Sequence, residues 1–286
     1  MRIASLQPSI TVTLKALNRL DHLCACTRYC LEALPELAER NLKILHDSWT
    51  ANTDEILSAK PDLVIASIPY RLESLAAILK SGLPILTLAP HSIADIYKDI
   101  SLIAAPVDAT AEAETLIAQM KSTIASTRER TRNRTKTPVV FCEEWGKPII
   151  HSQSWVAELV EAAGGSYLGT PGSHTTPEAI AEADPDVLLF SWCGAGNRVP
   201  LERVIGHRNW HHLKAVREGQ VFCIPDQYLN TPANTLLEGL ACIAAATHPQ
   251  THPSHPELIQ LQRLESTEAE ASSDRDQSRA SASLAK

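Results

Sequence analysis

Two stretches of this chain repeat one another. Ile56-Leu57-Ser58-Ala59-Lys60-Pro61-Asp62-Leu63-Val64-Ile65-Ala66-Ser67 is matched in type by Ile180-Ala181-Glu182-Ala183-Asp184-Pro185-Asp186-Val187-Leu188-Leu189-Phe190-Ser191. Each reads as the end of a helix, a Pro-Asp turn and an apolar run closed by serine. Proline stops the helix because it lacks the backbone N–H and its ring crowds the preceding turn. An unbroken apolar run suits a strand covered on both faces, as in a parallel sheet. Gly82 before Pro84-Ile85 is echoed by Gly219 before Val221-Phe222. Two copies of one α/β unit in 286 residues predict two similar lobes, each of ~100–150 residues.

The rest of the pattern agrees. In the first part, residues 3–6, 23–26, 63–67 and 85–88 read as strands, with helical stretches near 13–20, 53–59, 72–80 and 92–103. Alternation of this kind implies βαβ units. Residues 109–134 contain neither Pro nor Gly, and Ala113, Leu116, Ile117, Met120 and Ile124 fall at the spacing of one helical face. Asp108 stands where it could cap that helix. At 1.5 Å per residue the stretch spans ~39 Å, enough to cross a lobe. After Pro138 the alternation resumes, with strands at 139–142, 187–192 and 221–224 and helices near 154–163, 177–183, 201–205 and 231–246. The expected organisation is a first α/β lobe over residues 1–107, a linker helix over 108–136, a second α/β lobe over 137–249, and a disordered tail over 250–286. The tail is expected because residues 265–286 hold no aromatic residue and too little apolar surface to offset the entropy of ordering. The fold class is α/β: two Rossmann-like lobes with mainly parallel sheets, joined by one long α-helix.

Charge and composition narrow the function. A net charge of −7 argues against nucleic acid as partner, which calls for a basic face. No apolar run approaches the ~18 residues of a membrane span, so an integral membrane protein is not expected. Met1-Arg2 leads within a few residues to Pro8, too soon for a signal-peptide core. As written the chain is expected in the cytoplasm, and in the periplasm if the start codon lies upstream. The seven cysteines are an odd number in a chain with a sizeable core, which favours thiols over a disulfide framework. Cys24 and Cys26 alternate on a strand and are expected on one face, with Cys30 beyond the strand end. The Walker loop, the nucleophile elbow and His-Glu-x-x-His are all absent from the sequence.

Aromatic residues make up only 5% of the chain, so their positions are informative. Trp49, Tyr70, Trp145, Trp192 and Tyr228 lie in loops or at strand ends. In open parallel sheets the carboxyl ends of the strands are where ligands bind. Together the five predict an aromatic-lined cleft for a large planar or apolar ligand.

Arg2-Ile3-Ala4-Ser5-Leu6-Gln7-Pro8-Ser9, Lys60-Pro61-Asp62-Leu63-Val64-Ile65 and Trp155-Val156-Ala157-Glu158-Leu159-Val160-Glu161-Ala162-Ala163-Gly164-Gly165 resemble cobalamin-binding substrate-binding proteins of ABC importers. These are class III periplasmic-binding-protein-like chains with a helical backbone linker. The resemblance runs over about residues 1–249, and siderophore- and haem-binding relatives share the same frame. It implies that ligand is held between two lobes by Trp49, by Tyr70 in place of the aromatic that the family has where Ser67 stands, by Glu144 and Trp145 in the stretch Glu143–Pro148, and by Tyr228 and Asn230; Trp192 joins them as a candidate on its strand-end position alone. It implies docking on an ABC permease through one acidic residue per lobe. Glu73 matches the first, and the second falls near His212, which is not acidic. The expected function is to bind cobalamin or a related corrinoid as cargo, without a resident cofactor, a metal site or catalysis. The alternatives are a siderophore or haem binder, with His151, Cys30 and Tyr228 as candidate axial ligands, and a tetrapyrrole metal chelatase using Glu143, Glu144 and His151.

Overall fold

The computed structural model describes residues 1–46, 52–132 and 136–261. Among them the first lobe is a five-stranded parallel sheet in the order Lys43–Leu45, Leu23–Thr27, Ile3–Ser5, Leu63–Ser67, Ile85–Leu88. Strand order reverses between Ile3–Ser5 and Leu63–Ser67, which opens a crevice beyond their carboxyl ends. The second sheet runs Ile259–Gln260, Val221–Cys223, Val187–Phe190, Val139–Gly146, Ile149–His151, His174–Thr175, with Ser166–Tyr167 also paired to Val139–Gly146. Its centre is parallel, as expected. A hairpin and a returning C-terminal segment add antiparallel pairings, so this sheet is mixed. Short connections can join strands only antiparallel.

The internal repeat has a physical basis. Asp62 Oδ2 accepts from Arg2 N at 2.7 Å, and Asp186 Oδ2 accepts from Val139 N at 2.8 Å. The backbones answer in kind: Asp62 N donates to Arg2 O, and Asp186 N to Val139 O. Each aspartate therefore ties the turn before one central strand to the start of its neighbour. The residues before the two prolines, Lys60 and Asp184, are both left-handed, with φ of 50° and 39°.

The linker is the helix Thr110–Thr131. Asp108 does not cap it: the residue is itself left-handed (φ 51°) and ends the short 3-10 turn Ala105–Val107. Ala113, Met120 and Ile124 enter one apolar cluster with Ile96 and Ile100 of the helix Ile93–Ala104 on the first-lobe side. The same cluster takes in Trp155, Leu159, Leu240 and Ile243 from the helices Ser154–Ala162 and Leu236–Thr247 on the second. Further along, Thr127 and Thr131 are buried, their hydroxyls bonded back to the carbonyls of Thr123 and Thr127. Gly164 lies against this end of the helix. A Cβ there would come 2.6 Å from the Thr131 Cβ, and its φ of 79° is left-handed.

The expected boundary at 249 is too early. Ile259–Gln260 pairs with Val221–Cys223, and Gln260 Nε2 donates to Gly219 O at 2.7 Å. His252 is 7% exposed, and His255 meets the Tyr228 ring edge-on at 5.9 Å. The reason is local: Ile259 and Leu261 reach a strand edge that would otherwise be open, which the polar composition further along hid. Residues 262–286 lie outside the described residues.

Two outcomes are expected. Ending the chain after Leu261 should leave its thermal midpoint unchanged, whereas ending it after Pro249 should lower the midpoint by ~4 °C or more, since a loss of ~1–2 kcal/mol moves a protein of this size by ~2–4 °C per kcal/mol. Asp186 has its carboxyl at about 2: burial pushes it up, and the hydrogen bonds from Lys214, Val139 N and Lys136 outweigh burial. A depressed carboxylate stabilises the fold above its unfolded value of ~3.9 and loses that contribution as pH falls towards 2. Asp186→Asn should therefore lower the unfolding free energy by about 2 kcal/mol at neutral pH, and urea titrations should show the deficit shrinking through that acidic window.

Candidate functional site

The two lobes touch beyond the carboxyl end of the strand Ile85–Leu88. Ser154 Oγ donates to His91 O, and Ile93 N donates to Glu158 Oε1 at 3.3 Å. These bonds seat the loop after Ile85–Leu88 on the first turns of Ser154–Ala162. On the first-lobe side, Gln7 follows the first strand and reaches across the crevice, its amide donating to Ser67 O and Pro69 O at 3.4 and 3.3 Å. Tyr70 is half-buried there, packed beside Ala66, Ile78 and their neighbours. Trp49 lies outside the described residues. Glu73 is exposed in the first turn of the helix Leu72–Lys80.

On the second-lobe side the strand expected to stop at 142 runs on to Gly146, so Glu143, Glu144 and Trp145 belong to a bulged hairpin whose register shifts between Glu143 and Trp145. The alternation of the strand sends the two glutamates to different partners. Glu143 is fully buried and takes both arms of Arg208, at 2.6 and 2.7 Å, with the Trp192 indole N–H at 2.8 Å on the same carboxylate. Arg208 in turn lies over the Trp210 ring at 4.7 Å. The Trp192 ring lies against Gly146, where a Cβ would come 2.4 Å from it, so only glycine fits. Glu144 instead accepts from Gln153 Nε2 at 2.8 Å and from the exposed Cys193 thiol at 3.8 Å, and burial pushes its carboxyl up. Asn230 Nδ2 donates to Ser191 O at 2.7 Å. Trp145 is 45% exposed at the hairpin tip, its N–H on Lys147 O.

Of the expected residues, Glu144, Trp145, Trp192 and Asn230 thus gather on hydrogen-bonded neighbouring segments of the second lobe. Tyr228 is placed apart from them. Its ring meets His255, and its hydroxyl bonds Glu257; burial first, then Glu257, pushes that hydroxyl up to about 12. The candidate metal-handling groups are committed elsewhere. Glu143 is held by Arg208, and His151 is buried against Phe141, 5.3 Å between ring centres. No group of three potential metal-ligating side chains occurs among the described residues. Arg208, Gln153 and His91 were not anticipated. Arg208 lies 65 residues from Glu143, and no local pattern marks the pair.

A hollow of about 630 Å³ lies elsewhere, lined by Arg130, Lys136, Asp186, Glu218 and His248 among others. It sits at the amino ends of Val139–Gly146 and Val187–Phe190, opposite the ends at which such sheets bind ligand.

Removing one partner of a buried ion pair leaves an uncompensated charge, at a penalty of ~3–5 kcal/mol. Arg208→Ala should therefore lower the unfolding free energy by about that much. The double variant Glu143→Met with Arg208→Met should recover a good part of it, as read by denaturant titration.

Comparison with known proteins agrees with the fold. The chain is 24% identical over 262 residues to YvrC of Bacillus subtilis (strain 168), an uncharacterized ABC transporter substrate-binding lipoprotein, covering 87% of this chain and 81% of that protein. It is 27% identical over 201 residues to a vitamin B12-binding protein of Yersinia pestis (strain Pestoides F), covering 66% and 69%. Among solved structures, the periplasmic heme-binding protein RhuT from Roseiflexus sp. RS-1 in apo form superposes with a TM-score of 0.76 at 23% identity, covering 87% of this chain and 98% of that one. Residues 3–228 match the periplasmic binding protein family, and the chain belongs to it.

Proposed function

We propose that the chain is the substrate-binding protein of an ABC importer, that its cargo is cobalamin or a related corrinoid, and that it works in the periplasm. It carries its cargo without covalent chemistry or a resident cofactor. The observation that carries the reading is the composition of the second-lobe rim. The neighbouring segments of this rim carry the indoles of Trp145 and Trp192, the carboxamides of Gln153 and Asn230 and the carboxyl of Glu144, while the guanidinium of Arg208 is consumed by Glu143. Flat apolar faces suit a corrin ring, and carboxamides suit its amide-bearing arms. A carboxyl is a poor neighbour for the carboxylates of haem or of an anionic siderophore, because like charges oppose one another. The vitamin B12-binding relative supports the same cargo. The apolar cluster around the linker limits hinge motion, so the crevice is largely formed before ligand arrives.

Haem is the second reading. The axial ligands expected for it are withdrawn, since His151 and Cys30 are buried and Tyr228 is engaged by Glu257. His91, however, is exposed where the lobes touch and favours this alternative.

Calorimetry with cyanocobalamin should show binding at micromolar concentrations. Trp145→Ala should weaken it by roughly tenfold, from the lost stacking of ~0.5–1.5 kcal/mol together with lost apolar contact, with the thermal midpoint unchanged. An absence of heat with cyanocobalamin, joined by a haem Soret shift that His91→Ala abolishes, would replace the corrinoid with haem.

A further inference from the structure

Cys26 reads on its pattern alone as a small apolar filler of a packed sheet, with Cys30 beyond its strand end. Their surroundings differ from that. The pairing of Ile3 with Leu23 and of Ala4 with Ala25 leaves Cys24 as an extra residue in its strand. Cys24 and Ala25 therefore share one apolar cluster, and Cys26 turns to the opposite face, contrary to the simple alternation. There it meets Cys30, on the short helix Arg28–Ala33 that begins where the strand ends. The two sulfurs are hydrogen-bonded to each other.

Cys30 Sγ also receives Thr11 Oγ1 at 3.1 Å and lies 3.4 Å from Thr27 Oγ1. Three polar neighbours thus converge on one fully buried sulfur. Burial opposes ionisation, and the bonds from Cys26, Thr11 and Thr27 overcome it, which holds Cys30 below the ordinary thiol range at about 6. The Cys26 thiol is held up as the retained proton of the pair. One sulfur is thereby prepared as a nucleophile and the other as a resolving thiol, the division of labour that disulfide exchange requires. None of this is used by the crevice site.

We propose that Cys26 and Cys30 form a dithiol that closes to an intramolecular disulfide by exchange with a small-molecule disulfide. Cys30 sulfur attacks one sulfur of the oxidant, whose S–S bond breaks and releases one thiolate. Cys26 gives its proton to that thiolate and attacks Cys30, breaking the mixed disulfide and releasing the second small thiolate, which takes up the proton left by Cys30. Two protein thiols and one disulfide become one protein disulfide and two small thiols. Access comes from local opening of Arg28–Ala33, a six-residue helix without a side-chain cap, the type of element that opens first. The pair also reaches the crevice, because Thr11 Oγ1 lies 2.7 Å from Ser5 Oγ, and that hydroxyl lies 3.0 Å from the carbonyl of Gln7, whose amide spans to Ser67 and Pro69.

The test uses the native full-length chain, reduced, freed of reductant and incubated at neutral pH with excess glutathione disulfide, then denatured in alkylating agent and digested with trypsin. Cleavage after Arg28 separates the two cysteines. The expected result is that the flanking peptides stay joined, with fragmentation assigning the link to Cys26 and not Cys24, and that two alkylatable thiols are lost in addition to any adduct on the exposed Cys193. In Cys26→Ser the expected product is a glutathione adduct on Cys30, with no link. Full alkylation of both Cys26 and Cys30 after Cys193 has reacted to completion would overturn the proposal. So would a link that forms only when the oxidant is added to unfolded chain. Because the wild-type arm needs no substitution, the proposal stays falsifiable even if Cys26→Ser folds poorly.

Discussion

The structure depends on one apolar seam. The helix Thr110–Thr131 has few strongly apolar residues, yet Ala113, Met120 and Ile124 place it within a cluster that takes in helices from both lobes. Interiors of this kind are packed like crystals and do not deform continuously. Lobes joined by a flexible strand pair can swing, whereas lobes that share a core cannot part without exposing it. At ~25 cal/mol per Å² of apolar surface, even a modest opening along the seam would be resisted. The hydrogen bonds of His91 with Ser154 and of Ile93 with Glu158 hold the other side of the same junction. The crevice is therefore bounded by two surfaces whose separation is set chiefly by helix packing.

The second lobe adds a device of its own at that crevice. The pleat turns adjacent glutamates apart, one into a closed ion pair and one to the rim. Glu143, Arg208, Trp192 and Gly146 lock the base of the hairpin, so that Glu144, Gln153 and Trp145 are presented from a fixed support. Sites held by such supporting contacts keep their geometry without being ordered anew by ligand.

The fold was largely legible in the sequence because its signals are local. The Pro-Asp repeat announced twin units, and the Asp62 and Asp186 hydrogen bonds explain why that dipeptide recurs. Leu63–Ser67, Ile85–Leu88, Leu72–Lys80 and Pro177–Ala183 fall at their expected limits. The first helix starts at Pro8 and not near Thr13, since proline at the first helical position needs no N–H partner. What escaped was long-range. Lys43–Leu45 carries too little pattern to be read as a strand, and the hairpin beyond Cys142 was hidden by its two glutamates. Glu143 and Arg208 stand 65 residues apart, a pairing that no local periodicity encodes. Of the seven candidate ligand residues, five were read from the scarcity of aromatics and Glu144 and Asn230 from the resemblance; Glu144, Trp145, Trp192 and Asn230 fall on neighbouring segments of the second lobe, while Tyr228 sits against the C-terminal segment.

That segment has one more consequence. An uncovered sheet margin offers a row of unpaired N–H and C=O groups to any passing chain. By lying along Val221–Cys223, the short strand Ile259–Gln260 occupies such a margin with a partner from the same molecule. Gln260, exposed beyond it and bonded to Gly219, presents a polar face outward. The margin now presented among the described residues is only two residues long, and so short an edge offers little for another copy to add to strand by strand.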